Sequence, residues 1–347
     1  MDTLLRDEQT ATRLDGMLQR ITRRRHTLGA PQFALRSPER EFSFGDQDQA
    51  FHAASIGKLY TGVVIMQLVE EGRLSLDAPV DALLPAATLT GLFRDDAPAP
   101  TVLDLLQHYS GAADYFEGCR GTSVLKELLA DPDRVWTPHE LLDFAREHLR
   151  PVGRPGERFL YSDTGFVLLG LIIEEVGGQS YQDAVRARII EPLGLTRTFL
   201  PRLTTPAEGD ATLAPMWISR HELSRAAALS CAWAGGGIAA TPSDLLRFSE
   251  ALHGGELVSD EHLRIMSTPR GRVRGGIHYG AAMMQLRFEG FSPVLRGRSR
   301  QLGHLGSTGT SLFYDPASRA HLVMNFHSRS ELPRLIRTAI AVQSALR

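Results

Sequence analysis

Two side chains in the stretch Phe51-His52-Ala53-Ala54-Ser55-Ile56-Gly57-Lys58 could do chemistry together: the hydroxyl of Ser55 and the amine of Lys58. Just beyond them, Leu59, Val63, Ile65, Met66, Leu68 and Val69 carry the apolar pattern of a largely buried helix, and Gly72 is a suitable stop. Ser55 then stands at or just before the first turn, with Lys58 one turn later on the same face. Free backbone N–H groups and the positive end of the helix dipole gather there. A serine in that place becomes a nucleophile if a neighbour takes its proton. Only two lysines occur, Lys58 and Lys126, in a chain whose positive charge is otherwise arginine. Arginine cannot release its proton and a desolvated lysine can, so a lysine here points to an amine that titrates. The bland alternative is a surface lysine that follows a capping serine.

A chain of 347 residues has room for one large domain or two intertwined ones. Apolar residues make up 43% and charged residues 22%, ordinary values for a soluble globular enzyme. The formal net charge of −2 gives no reason to expect a nucleic-acid or polyanion partner. Cys119 and Cys231 are too few for a disulfide scaffold and lack metal-site spacing, and His221-Glu222 lacks the second histidine of a zinc helix. No metal or cofactor is expected. The charged start, Met1 to Glu8, has no apolar core of signal-peptide length, and the longest apolar runs, near Val63 and Phe166, are too short to span a bilayer. The expectation is a cytoplasmic protein with no membrane partner; the oligomeric state is not readable.

The elements that must position Ser55 and Lys58 follow from the rest of the chain. Residues 9–25 read as a helix with Leu14, Leu18 and Ile21 on one face. Gln32–Arg36 and Glu41–Phe44 alternate as strands around the turn 37–40. A Pro- and Ala-rich stretch to Pro100 reads as irregular surface, and Thr101 opens a short helix ending near His108. Segments 122–130, 138–149, 163–177 and 180–190 carry helical stripes, whereas 200–230 has no clear period and could form a lid or pocket wall. Trp233 to Ala240, with Gly235-Gly236-Gly237, reads as a strand at a close contact, and Thr241-Pro242-Ser243-Asp244 starts a helix through Leu252. No Gly-Lys-Ser/Thr follows those glycines, so they are no phosphate loop. Strand text returns at 277–288, 301–314 and 320–327, with a turn at 315–318, and a helix over 331–346 closes the chain. Sheet text at both ends around a helical middle predicts an α/β domain of residues 1–80 and 230–347, with a mostly helical insert, 81–229, and an active site at their interface.

Two further clusters carry polar chemistry. In Pro155-Gly156-Glu157-Arg158-Phe159-Leu160-Tyr161-Ser162-Asp163, Tyr161 precedes a plausible helix cap and would project from a loop. In Gly303-His304-Leu305-Gly306-Ser307-Thr308-Gly309-Thr310, glycines interrupt a strand, as they do where a backbone approaches a ligand closely. Each has an ordinary reading of its own: a packed tyrosine, and a glycine-rich bulge beside a surface histidine.

Together, Ser55-x-x-Lys58, Tyr161-Ser162-Asp163 and His304-Leu305-Gly306 have the order and spacing of the three motifs of the serine β-lactamase and penicillin-binding-protein superfamily. The chain resembles its class C-like branch, which includes family VIII esterases, D-amino-acid-specific peptidases and amidases, and some acyltransferases. Glu71 to Val80, His108 to Gly111, Glu191 to Leu195 and Thr241 to Leu245 are similar to that family's text as well, so the likeness covers roughly residues 30 to 330. It implies a β-lactamase/transpeptidase-like α+β fold: an antiparallel sheet flanked by helices, with a helical insertion. It also implies Ser55 as nucleophile, Lys58 sharing its proton network, Tyr161 as base and then acid, and the N–H groups of Ser55 and Ser307 as an oxyanion hole. A phenol is a poor base at its usual pKa, so Tyr161 would need the nearby charge of Lys58.

Two positions depart from the family. Asp163 stands where Asn is usual and cannot donate an amide hydrogen bond when ionised. His304-Leu305-Gly306 replaces Lys-Thr-Gly, exchanging a full positive charge for a partial one and losing a hydroxyl. Both changes weaken recognition of an anionic substrate, so β-lactam hydrolysis is not expected as the main activity. The resemblance then implies a serine acyl hydrolase working on small-molecule carboxylic esters, with a D-residue amide or peptide next and acyl transfer third. A non-catalytic binder on this fold would be expected to lose Ser55, Lys58 or Tyr161. Tyr115, Phe116 and Trp217 are candidate walls of an apolar acyl pocket, with core packing the ordinary reading of each.

Overall fold

The computed structural model describes residues 2–24, 28–119 and 121–345, with side chains from residue 8 to 344. Its centre is a sheet of eight antiparallel strands in the order β2-β1-β12-β11-β10-β9-β8-β7. These are β1 (Gln32–Arg36), β2 (Glu41–Phe44), β7 (Gly271–Arg274), β8 (Ile277–Tyr279), β9 (Met284–Leu286), β10 (Gln301–Gly306), β11 (Thr310–Asp315) and β12 (Ala320–Asn325). Two ribbons stand apart, β3 (Phe51–His52) with β6 (Ala239–Ala240), and β4 (Trp217–Ile218) with β5 (His221–Glu222). The segment 301–314, expected as one run, is a hairpin that turns at Ser307-Thr308-Gly309 and sets His304 opposite Leu312 and Gly306 opposite Thr310.

Alternation along the strands divides their side chains between two cores. Phe33, Leu35, Phe313, Leu322 and Met324 face a layer made by Leu14, Leu18 and Ile21 of the first helix (Asp2–Arg24) and by Leu335, Ile336, Ala339 and Val342 of the last (Leu332–Ala345). The intervening Ala34, Leu312 and Val323 join the larger core on the other face. That core is centred on the helix Gly57–Glu70, which is buried from Gly57 to Met66. The helix Asp163–Gly177 lies in the same core and ends at Gly178, whose φ of 69° is the left-handed cap that glycine takes without strain. Gly170 lets the Trp233 indole against this helix: a Cβ there would lie 2.6 Å from the ring.

Most expected elements are present, including Val102–Leu106 with Thr101 and Asp104 in a capping box, and Pro138–His148 with the same device at Thr137 and Glu140. A second expectation is corrected. Trp233–Gly236 is a helical turn, not a strand, and only Ala239–Ala240 is extended. Residues 200–230 hold little regular structure beyond the β4–β5 ribbon and a 3-10 turn at Ala227–Ala232.

Candidate active site

Ser55 lies in a 3-10 turn, Ala54–Ile56, that leads into the Gly57–Glu70 helix. The residue before it, Ala54, has φ 51°, a strained value for a side chain with a Cβ. Two glycines allow that turn. A Cβ on Gly236 would lie 2.9 Å from the Ala54 carbonyl carbon, and one on Gly306 would lie 2.7 Å from Ala53 O and 3.1 Å from Ala54 Cβ. The strain turns Ser55 out of the core, where it is partly exposed, while Lys58 below it is wholly buried. The surface-lysine alternative is therefore excluded.

Lys58 Nζ donates to Ser55 Oγ at 3.3 Å, to Gly235 O at 2.7 Å, and to Asp163 Oδ1 in a short ion pair. The Gly235 glycine is part of this socket, since a Cβ there would lie 2.9 Å from Asp163 Oδ1. Behind Asp163 stands a second carboxylate that the sequence did not single out: Asp114 Oδ1 accepts the Asp163 N–H at 2.8 Å. Asp114 also accepts from the N–H groups of Phe116 (3.3 Å) and Glu117 (2.9 Å). Burial, and next the charge of Asp163, push the Asp114 carboxyl up to about 7.

Tyr161 packs over Lys58, whose Nζ lies 5.0 Å from the ring centre, and is ringed by His108, Tyr279 and His304 at centroid distances of 4.3, 5.7 and 6.3 Å. Its hydroxyl is buried without a well-formed hydrogen bond, although Ser55 is near enough to pull its pKa down a little. The larger effects act the other way. Burial, then the charges of Asp163, Asp114 and Glu117, hold the phenol well above its ordinary value. The phenol is thus held in its protonated form, and Lys58 is not among the groups that lower it.

His304 differs from its expected part as a half-charged substrate anchor. It is fully buried on β10; its Nδ1–H donates to Leu305 O at 2.7 Å, so Nε2 is the acceptor for the Tyr279 hydroxyl at 3.1 Å. Burial and then the Lys58 charge lower its pKa to about 3, so it is neutral and both nitrogens are occupied within the protein. The turn after it places Ser307 next to the nucleophile's own turn, because Gly306 abuts Ala53 and Ala54. The hydrogen bonds that close the two turns come from Ile56 N to Ala53 O (3.3 Å) and Gly309 N to Gly306 O (3.2 Å), not from Ser55 or Ser307.

Of the pocket candidates, Tyr115 is corrected: its ring is core, and its hydroxyl donates to Cys231 O at 2.6 Å. Phe116 is partly buried against the same core, and Trp217 opens β4, where its backbone N–H donates to His327 O at 2.7 Å. Neither ring stacks on the aromatic cage of Tyr161 among the described contacts. Tyr279, which the sequence gave no reason to pick, orients His304.

A family model described as Beta-lactamase matches residues 1–347. This chain belongs to the Beta-lactamase family. Within the family it is 29% identical over 240 residues to penicillin-binding protein 4 of Amycolatopsis lactamdurans, covering 63% of this chain and 55% of that protein. It is 29% identical over 204 residues to esterase EstB of Burkholderia gladioli, covering 53% and 50%. The chain thus spans about half the length of these curated relatives. A D-stereospecific amidohydrolase from Streptomyces sp. superposes with a TM-score of 0.74 at 29% identity, over 88% of this chain and 92% of that one. The sheet and helices are those of the β-lactamase/transpeptidase fold of this serine-hydrolase family. Among the described residues there is no cluster of metal-ligating side chains, and no helix is long and apolar enough to cross a membrane.

The buried histidines make this family member acid-sensitive. His253 and His304 are lowered to about 3, His321 to about 4, and His108 well below its ordinary value, all chiefly by burial. Each takes up its proton near 6.5 when unfolded but not when folded, so stability is full above that pH and is lost as pH falls toward 4. Asp114 acts oppositely, since the folded state keeps a proton up to about 7 that the unfolded chain releases near 3.8. His52 is lowered by burial as well, and Asp244 is raised like Asp114; the histidines outnumber these carboxyls, so the unfolded chain holds more protons between pH 4 and 6.5. Melting temperature should therefore climb steeply from pH 4 to pH 6.5; a flat profile would contradict the burial of these rings.

Proposed function

We propose that this chain is a serine hydrolase that acts on carboxylic esters through an acyl-enzyme on Ser55. The observation that carries the reading is the socket of Lys58, which sets a buried amine against Ser55 Oγ at 3.3 Å beside a phenol that keeps its proton. Ser55 Oγ attacks the ester carbonyl, Lys58 lies on the path of the departing proton, and Tyr161 is placed to protonate the leaving alkoxide. The backbone N–H groups of Ser55 and Ser307 would hold the developing oxyanion. The neutral His304 removes the fixed cation that would bind a substrate carboxylate, which favours uncharged esters over β-lactams. The likeness to a D-stereospecific amidohydrolase supports a second reading, hydrolysis of a D-residue amide, and acyl transfer to an alcohol or amine shares the same first half.

Intact-protein mass spectrometry after brief mixing with a p-nitrophenyl ester, a β-lactam or a D-amino-acid amide, with product release followed in parallel, tests the reading. The ester is expected to give an acyl adduct and turnover. In Ser55→Ala the adduct should vanish and kcat fall by roughly 10⁴-fold or more. Turnover that survives Ser55→Ala would remove Ser55 from the chemistry.

A further inference from the structure

The three acceptors around Lys58 Nζ use up an ammonium. It has three N–H donors and no lone pair, and Asp163 Oδ1, Gly235 O and Ser55 Oγ take one each. In that state Lys58 cannot accept the Ser55 proton. A neutral amine has two donors and one lone pair. Once a proton has crossed to Asp163, the lone pair lies on that side, and a turn of the amine about its Cε–Nζ bond carries it to Ser55 Oγ. The change from the first state to the second needs one proton to cross a contact that is already short.

The surroundings favour such a crossing. The Lys58 side chain is 0% exposed and that of Asp163 is 14% exposed, and a neutral acid–amine pair forfeits less hydration than a buried ion pair. Among the described residues, six titratable groups face Asp163: Lys58, Asp114, Tyr115, Tyr161, Cys231 and Tyr279. Burial raises the pKa of the three phenols and the thiol, which keeps them neutral. That leaves Lys58 as the fixed charge beside Asp163, with the Asp114 carboxyl, Oδ1 2.8 Å from the Asp163 N, as its nearest acidic neighbour. Tyr161, held in its protonated form, is not available as the resting base.

We infer that Asp163 is the terminal proton acceptor of the site, reached from Ser55 through Lys58. Resting on the acyl-enzyme reading above, the step runs as a double shift. The Oγ–H bond of Ser55 breaks as Oγ bonds to the acyl carbon, and the carbonyl electron pair moves onto its oxygen. A Lys58 proton bonds to Asp163 Oδ1, the amine turns about its Cε–Nζ bond, and the Ser55 proton bonds to the lone pair so freed on Nζ. Lys58 ends as the ammonium it began as, Asp163 ends neutral, and the new negative charge sits on the oxyanion. When the intermediate collapses, the proton returns from Asp163 through Lys58 and across the Tyr161 hydroxyl to the leaving oxygen. Asp163 thus acts through Lys58, as a positioning residue for the proton. The asparagine usual at this position keeps an acceptor for Lys58 but cannot take a proton.

Asp163→Asn separates these roles, because it keeps the shape and the Lys58 hydrogen bond. With a p-nitrophenyl ester, the rate of adduct formation on Ser55 and kcat should fall about 100-fold or more, with KM changed little. The pH profile should change too. Asp163→Asn should gain a limb that the wild type lacks, a rate that climbs with pH, because only a free amine can then act as base. Asp114→Asn, which removes a carboxyl bonded to the Asp163 N–H and not to Lys58, should retain acylation and should not gain the limb of Asp163→Asn. Wild-type acylation and an unchanged profile in Asp163→Asn would overturn the assignment, as would a loss confined to melting temperature. Adduct formation by the wild type keeps these outcomes separate from failure of the acyl-enzyme reading; no adduct in the wild type with any of the three substrates would overturn both.

Discussion

Lys58→Arg is expected to lower kcat/KM for the ester by about 10³-fold or more while leaving a charged side chain in place. The wild-type nitrogen is wholly buried and fills a socket of Ser55 Oγ, Gly235 O and Asp163, with Nζ only 3.5 Å from where a Gly235 Cβ would sit. A guanidinium satisfies the Asp163 charge but cannot give up a proton. It is also planar and larger than the socket, so the turn carrying Ser55 must shift, and small misplacements of a nucleophile are costly. Lys58→Met is the contrasting case. It leaves Asp163 as an unpaired buried carboxylate beside Asp114, which should cost about 3–5 kcal/mol of stability as well as activity. Stopped-flow acylation with parallel thermal melts tests the pair. More than a tenth of wild-type acylation in Lys58→Arg would show that the residue need not release a proton.

That prediction rests on residues of unequal legibility. Ser55 and Lys58 were readable because the chemistry sits on one helical turn, three residues apart, in a chain with a second lysine only at 126. The strands were readable where polar and apolar residues alternate, and the helix starts at Thr101 and Thr241 were readable from residues whose side chains accept from the N–H three further on. Asp114 was not, since what makes it matter is a bond to Asp163, 49 residues away, and nothing in its own neighbourhood signals that contact. Tyr279 is the same kind of case, meeting His304 only once β8, β9 and β10 are laid side by side. The role of His304 was misread for a different reason: sequence gives a histidine its ordinary pKa, and only burial and the proximity of Lys58 lower it. Gly235 to Gly237 looked extended because glycine has low helix propensity. Tertiary demand overrides it: a helical turn there brings bare backbone against Lys58, Asp163 and the Ala54 turn, a fit no other residue allows.

The same reasoning makes Gly306→Ala the severest test of how the site is held. A Cβ at 306 would lie 1.9 Å from Thr310 Oγ1, 2.7 Å from Ala53 O and 3.1 Å from Ala54 Cβ. Rotating Thr310 does not solve this, because its hydroxyl donates to Ala53 O at 3.0 Å and two of the three clashes involve the nucleophile's turn itself. Either β10 or the Ala53–Ser55 segment must move by several tenths of an ångström. Both motions separate the Ser55 and Ser307 N–H groups and disturb the strained Ala54 conformation that presents Oγ. Since a misplacement of about 1 Å can cost roughly 100-fold, kcat should fall by about that factor or more, and the crowded core should cost a further 1–3 kcal/mol of stability. The fall should be in the acylation rate, with Lys58 still charged and Asp163 still in place, so the pH profile keeps its wild-type shape while the rate drops. That combination sets Gly306→Ala apart from Asp163→Asn, which changes the profile. A Gly306→Ala enzyme that acylates at the wild-type rate would show that β10 and the Ser55 turn can part without consequence, and that the glycine in the third motif serves something other than close approach.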